Sequence, residues 1–241
     1  MKLYGKIPVL ERIKSNPKSI RQIYIQEGNS ELSYIRKKAH QWHIPILTVP
    51  SSKMAKLSRS LNTQGVLVEV DDYQYVSLDD LLAKEGNKRP TLVFLDGVTD
   101  PQNFGGIIRS LACLGNFAAV VPTHDSVHVT ESVLRVAAGG DNYVAVALVN
   151  NLSQAIIAAK EAGYWIAGAV VEGGQDLWET KLAFPLGLVV GSEQKGIRDV
   201  IRRYLDMELT IPMPVNTLSF NVAHAAAILC YEIAKQKKNA R

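Results

Sequence analysis

The 241-residue chain reads as α/β: a parallel sheet covered on both faces, preceded by a smaller α/β unit. Three observations predict this. From Thr91 onward, six apolar runs of strand length alternate with helix-length segments, the pattern of successive crossovers in a parallel sheet. Before Lys84 a shorter version of the same alternation fits a unit of about 80 residues. Between the two, Lys84-Glu85-Gly86-Asn87-Lys88-Arg89-Pro90 has no apolar member and carries glycine and proline, as a linker does. The predicted units are therefore residues 1–83, a linker over 84–90, and residues 91–241.

Element by element, the first unit reads as helix 9–13, strand 20–25, helix 32–42 and strand 44–49. A helix capped by Ser51 or Ser52 then runs to 61, and strand 66–70 follows. The second unit gives strands 92–95, 118–121, 143–146, 165–171, 186–190 and 207–211. Helices are expected near 104–114, 130–138, 151–162, 197–203 and 219–236. Neither an internal repeat nor a low-complexity tract is visible.

Composition narrows the function classes. Hydrophobic residues at 47% and charged residues at 21% fit a globular chain able to bury a core. The longest apolar runs are strand-length, far short of the ~20 residues of a membrane span. The first nineteen residues interrupt their apolar members with charge and proline, unlike a signal peptide. Cys113 and Cys230 are isolated, which predicts neither a disulfide framework nor a zinc site and fits a reducing cytoplasm. Net charge is +4, yet residues 1–40 hold nine Lys or Arg against three acids. That stretch could face phosphates or could be solvated helix surface. The lysines from Lys235 to Lys238 suit the negative end of the last helix.

Three polar clusters each follow a predicted strand and precede a helix. They are Asp100-Pro101-Gln102-Asn103-Phe104-Gly105-Gly106-Ile107-Ile108-Arg109, then Gly191-Ser192-Glu193-Gln194-Lys195-Gly196, then Ile211-Pro212-Met213 with Ser219-Phe220-Asn221. Ligands of open parallel sheets bind at the carboxyl ends of strands, so three such loops predict one composite site. Nucleotide motifs do not account for them. Gly191 and Gly196 have P-loop spacing, but Ile197-Arg198 stands where Lys-Ser/Thr is required, and no G-x-G-x-x-G follows a strand. The five histidines lack metal-ligand spacing. Each remaining polar residue also has a structural reading. Asn103 is expected as a helix N-cap after the Asp100-Pro101 turn, and Ser219 as the cap of the last helix with Asn221 in its first turn. Arg109 could be a surface ion-pair partner and Glu193 an ordinary loop acid. Gly105-Gly106 would let a ligand approach the helix.

In order and spacing, D-P-x-N-x-G-x-x-x-R, V-x-G-S-E-x-x-G and I-P-M with S-x-N-V-x-x-A resemble the SpoU/TrmH family of RNA ribose 2′-O-methyltransferases. The family belongs to the trefoil-knotted SPOUT class, and the similarity covers nearly the whole chain. Tyr4-Gly5-x-x-Pro8-Val9-Leu10-Glu11 leading to Ile23-Tyr24-Ile25 looks like the family's ribosomal-protein-like (L30e-like) RNA-binding domain. Length and layout are closest to the RlmB-like 23S rRNA guanosine subgroup. The sequence departs from that subgroup at Pro214-Val215-Asn216-Thr217, where a glycine is usual after Ile-Pro-Met-x. It also departs at Phe220, usually leucine, and at Ala223-His224.

The resemblance implies a fold, a cofactor and roles. The last strand and helix would thread a loop into a deep trefoil knot holding S-adenosylmethionine, with no metal. Gly191, Ile211, Met213 and Phe220 would contact that cofactor. Arg109 would engage the RNA phosphate or 2′-hydroxyl, Glu193 would accept a hydrogen bond or proton, and Asn103, Ser219 and Asn221 would order the loops and target nucleotide. The family pattern further implies an rRNA substrate, neither DNA nor a membrane as partner, and a homodimer through the knotted domain. Alternatives are the same chemistry on tRNA or on an rRNA adenosine of the thiostrepton-resistance type, and a non-catalytic RNA-binding or ribosome-assembly protein.

Overall fold

The computed structural model describes residues 1–86, 89–215 and 218–239. Asn87 and Lys88 of the predicted linker, and Asn216 and Thr217 of the stretch that departs from the subgroup, lie outside the described residues.

The first unit contains β1 (Lys2–Tyr4), α1 (Lys6–Ser15), β2 (Ile20–Gln26), α2 (Ser33–Gln41), β3 (Ile46–Val49), α3 (Ser51–Leu57) and β4 (Val66–Val70). Its sheet is mixed, in the order β1-β4-β2-β3: β4 runs antiparallel to both neighbours and β2 pairs in parallel with β3. Apolar residues at helical spacing on α1 and α2, such as Val9, Ile13 and Ile35, bury against Ile23 and Ile25. On the opposite face Met54 of α3 meets Tyr4, Val49 and Leu67. β1, at three residues, is too short for its alternation to show in the sequence. The expected serine cap is absent: Ser51 begins α3, and no side chain caps that helix.

The second unit contains α4 (Leu78–Leu82), β5 (Thr91–Asp96), α5 (Pro101–Leu114), β6 (Phe117–Pro122), α6 (Glu131–Ala137), β7 (Ala145–Val149) and α7 (Leu152–Glu161). There follow β8 (Trp165–Ala169), β9 (Gln175–Asp176), β10 (Leu186–Gly191), α8 (Asp199–Arg202), β11 (Met207–Thr210) and α9 (Val222–Asn239). Seven strands pair in the order β7-β6-β5-β10-β8-β11-β9, all in parallel. Strands apolar on both faces need cover on both sides. Val93 and Leu95 pack with Phe104 and Ile107 of α5 and Leu229 of α9, whereas Leu92 and Phe94 pack with Leu81, Ile156 and Ile201 of α4, α7 and α8.

After β5 the chain builds β6 and β7 outward on one side. β10 then inserts between β5 and β8, and β11 lies on the far side of β8. The direction of building reverses between β5 and β10, the place where parallel sheets open a crevice.

Several expected bounds move for local reasons. The strand expected at 143–146 starts at Ala145 because residues 140–142 form a 3₁₀ turn. The helix expected at 197–203 is the single turn α8. Residues 73–82, grouped by sequence with the first unit, lie on the second sheet. There the Tyr73 hydroxyl donates to Val144 O, Val76 pairs beside Ala147, and Leu81 is buried under β5.

The two units share a continuous apolar core. Around it, Lys2 N donates to Glu131 Oε1 at 2.7 Å. Arg12 pairs with Asp141, both nearly fully buried. Arg12, one of the nine N-terminal cations, therefore faces the second unit and not solvent.

Candidate active site

The three polar clusters meet at the carboxyl edge of the second sheet. Asp100 is the N-cap of α5, its carboxylate accepting from Gln102 N, with Pro101 as the first helical residue. The sequence expectation placed the cap at Asn103. Asn103 instead lies inside the first turn, buried and turned toward α9. Asn221 caps α9: its Oδ1 accepts from Ala223 N at 2.9 Å and its carbonyl accepts from Ala225 N. That cap was expected at Ser219, which precedes the helix.

The free end of the Asn221 amide joins the other two motifs. Its Nδ2 donates to Asn103 Oδ1 at 2.9 Å and to Glu193 Oε1 at 2.5 Å. One side chain thus ties the loops after β5, β10 and β11 together.

Between β10 and α8 the chain folds back on itself. Ser192 and Gly196 exchange backbone hydrogen bonds at 3.1 and 2.9 Å, and Gly196 has φ +64°. A Cβ on Gly191 would lie 2.1 Å from the Gly196 carbonyl carbon, so only glycine fits there. The turn is anchored from outside by Asp96, at the end of β5 and 1% exposed. Asp96 accepts from Arg198 N at 2.8 Å and from Arg198 Nε at 2.6 Å. Sequence reasoning missed this pair. The sign available was a carboxylate closing an otherwise apolar buried strand, which requires a partner.

Two cavities flank the 192–195 turn. The first, about 580 Å³, is walled by Gly191, Glu193, Ile211, Met213, Ser219 and Phe220, with residues 169–172 at the end of β8 completing it. That β8 wall was not anticipated, because no polar cluster marks it. The second, about 520 Å³, lies between the ends of β5 and β10 and includes Asp100, Asn103, Asp125 and Arg198. Arg109 borders neither. It is exposed on α5, its Cα against Gly140, and its side chain makes no hydrogen bond or ion pair among the described residues. Gly105 and Gly106 are also assigned differently from the expectation of ligand approach. Added Cβ atoms would meet Val136 of α6 at 2.6 Å and Ala223 of α9 at 3.3 Å, so these glycines serve helix contacts.

The first cavity can sandwich a flat apolar group against Ile211, Met213 and Phe220 and offer backbone groups at its rim. It has no glycine-rich phosphate cradle. Among the described residues no group of three or more His, Cys, Asp or Glu could hold a metal ion, and no helix is long and apolar enough to cross a membrane.

A parallel sheet with paired strand-end loops defines a class of fold, and comparison with known proteins gives it a family. Residues 90–231 match the SpoU rRNA methylase family, and residues 2–76 match the RNA 2′-O ribose methyltransferase substrate-binding domain. The chain belongs to the SpoU rRNA methylase family. It is 32% identical over 239 residues to a protein of Staphylococcus haemolyticus described as a TrmH family tRNA/rRNA methyltransferase, covering 98% of this chain and 95% of that one. It is also 32% identical over 238 residues to the 23S rRNA (guanosine-2′-O-)-methyltransferase RlmB of Neisseria meningitidis, with the same coverage. The crystal structure of the SpoU methyltransferase AviRb from Streptomyces viridochromogenes, in complex with AdoMet, shares the fold at TM-score 0.80. That alignment covers 99% of this chain and 91% of AviRb at 22% identity.

Proposed function

We propose that this chain transfers a methyl group from S-adenosylmethionine to a ribose 2′-hydroxyl in RNA, and that its target is a guanosine of large-subunit rRNA. The carrying observation is the Asn221 amide, which binds Asn103 and Glu193 at once where the two cavities adjoin. Family membership supports the reaction, the match to the substrate-binding domain supports RNA, and the RlmB relative supports the guanosine target.

The donor fits the first cavity. Ile211, Met213 and Phe220 would flank its adenosine, with backbone groups near Gly191 fixing its edge. When bound it supplies a methyl group on a positively charged sulfur, so the acceptor needs alignment and loss of one proton. Glu193, at the rim and held by Asn221, is the group placed to take that proton. Asn103, Ser219 and Asn221 fix the loops around the hydroxyl. A guanidinium does not lose its proton in proteins, so Arg109 binds phosphate and orients the ribose.

Arg109 reaches a site across a homodimer. Supporting this, α9 packs against α5 and carries exposed His224 and Tyr231 with half-buried Ala227 and Ile228 between them, while α5 exposes Arg109 and Cys113, and Tyr231 is 63% exposed. A trefoil knot is the further expectation. β10 enters between β5 and β8, and the 191–197 turn lies beside residues 211–222 around one cavity, as a threaded chain requires.

The test is incubation with labelled S-adenosylmethionine and separate rRNA and tRNA pools, followed by mapping of ribose methylation. Label is expected in large-subunit rRNA and is lost in Arg109→Ala and in Asn221→Ala. Mixed dimers of these two inactive variants should regain activity, because one of their two sites is then intact. Mixed dimers without activity would place Arg109 in its own chain's site. Label confined to tRNA would overturn the substrate, and cofactor binding without label in any RNA would favour an assembly protein.

A further inference from the structure

We propose that the 520 Å³ cavity receives the base of the target nucleotide and that Asp125 reads that base as guanine. The proposal rests on the neighbouring cavity being the methyl-donor site. It adds where the base lies and which residue selects it.

Position comes first. The cavity lies at the reversal point between β5 and β10, and shares the Ser192–Lys195 turn with the first cavity. Asn103 and Glu193, joined through Asn221, stand at the boundary. A nucleotide with its ribose at that boundary has its base on the second side.

Unspent polar groups then define the ligand. Asp96 and Arg198 bind each other. Asp100 gives one oxygen to Gln102 N. Asp125 makes no hydrogen bond or ion pair among the described residues. Asn103 is only 8% exposed, its Oδ1 is taken by Asn221, and its Nδ2 has no partner among the described residues. Asn103 lines the cavity, where this donor is open to a ligand. Beside Gln194 and Lys195 on the shared turn, the β5 side of the site therefore offers a free carboxylate and a free amide donor.

A phosphate does not suit it, since Asp100, Asp125 and Glu193 outnumber the one cation not already paired there, Lys195. Among the bases, guanine presents two adjacent donors, N1–H and the 2-amino group, which a carboxylate can accept in parallel. The other three bases place an acceptor beside their donor, and that acceptor would face the carboxylate. The Asn103 amide complements a guanine acceptor. Unpaired RNA bases are recognised on these edges. The chain also presents Asp125 without a bulky side chain in the left-handed region: its φ is +54°, which Asp and Asn tolerate better than most residues.

The experiment uses the full-length protein and an rRNA transcript spanning the methylated position, with guanosine, inosine or adenosine at that nucleotide. Inosine lacks only the 2-amino group. Wild type should lose about tenfold or more in kcat/KM from guanosine to inosine, the scale of one lost paired contact. Asp125→Asn, which keeps size and backbone preference, should lower kcat/KM on guanosine and erase the guanosine-to-inosine ratio. Its affinity for S-adenosylmethionine, by equilibrium dialysis, should stay at the wild-type value. Equal wild-type rates on guanosine and inosine, or an unchanged ratio in Asp125→Asn, would overturn the base pocket and leave the methyltransferase reading intact. No methylation of any RNA, with the cofactor bound, would overturn both.

Discussion

Asn221 serves as a helix cap through one end of its amide and as a bridge between motifs through the other. The two roles separate by substitution. Asn221→Asp keeps an acceptor for Ala223 N, so thermal unfolding should stay near wild type, yet it puts a carboxylate against Glu193 and should abolish methyl transfer. Asn221→Ala should also cost about 1 kcal/mol for the lost cap, with activity down at least ~100-fold, as follows removal of a group that orders reacting atoms. Unfolding curves and initial rates on one preparation check both. Asn221 and Glu193 were legible as site candidates because their clusters follow strands. Which polar residue caps which helix was not. Asp100 and Asn103, and likewise Ser219 and Asn221, are all cap-competent types, and the choice depends on where the neighbouring helix needs a side chain.

At the scale of an element, α5 shows how a motif can be read correctly in outline and wrongly in detail. Its apolar spacing gives its end at Leu114, while its start lies at Pro101, three residues before the expected one, and the glycine pair suggests room for a ligand when the room is for α6 and α9. Local sequence cannot say what approaches a glycine. Gly105→Ala should destabilise by about 1–3 kcal/mol, the usual cost of overpacking, because the added Cβ would also lie 3.0 Å from the Val133 carbonyl oxygen, which belongs to the helix backbone. Gly106→Ala should stay within about 1 kcal/mol of wild type, since Ala223 need move only slightly and alanine favours the helix. Urea denaturation of the two variants distinguishes helix packing from ligand access: access would leave both stabilities alone and impair RNA binding instead. The short elements β1 and β9 escaped notice because two or three residues carry no periodicity.

Across the whole molecule, the Arg12–Asp141 pair joins the units, and no pattern within either unit reveals it. Sequence left the N-terminal cations as either a phosphate-facing surface or solvated helix faces, yet one of them compensates a buried charge. Burial pushes the Asp141 carboxyl up, and Arg12 beside it holds it down. Replacing Arg12 by Met removes the larger of the two influences that hold it down and leaves the backbone hydrogen bond against burial, and stability should fall by about 3–5 kcal/mol at neutral pH, as for other broken buried pairs. A carboxyl raised in the folded state stabilises most when protonated, so the deficit should shrink as pH is lowered from 7 toward 5. Unfolding midpoints at the two pH values measure this, and a deficit that does not change with pH would show that lost packing, not charge, dominates.

The seating of β10 carries a consequence for synthesis. The strand that fills the middle of the second sheet comes from the last quarter of the chain, so a ribosome has released more than 180 residues before the gap beside β5 can close. Until then, Val93, Phe94 and their neighbours lack their partner on that edge, and the emerging polypeptide stays exposed to proteases and chaperones for most of its elongation.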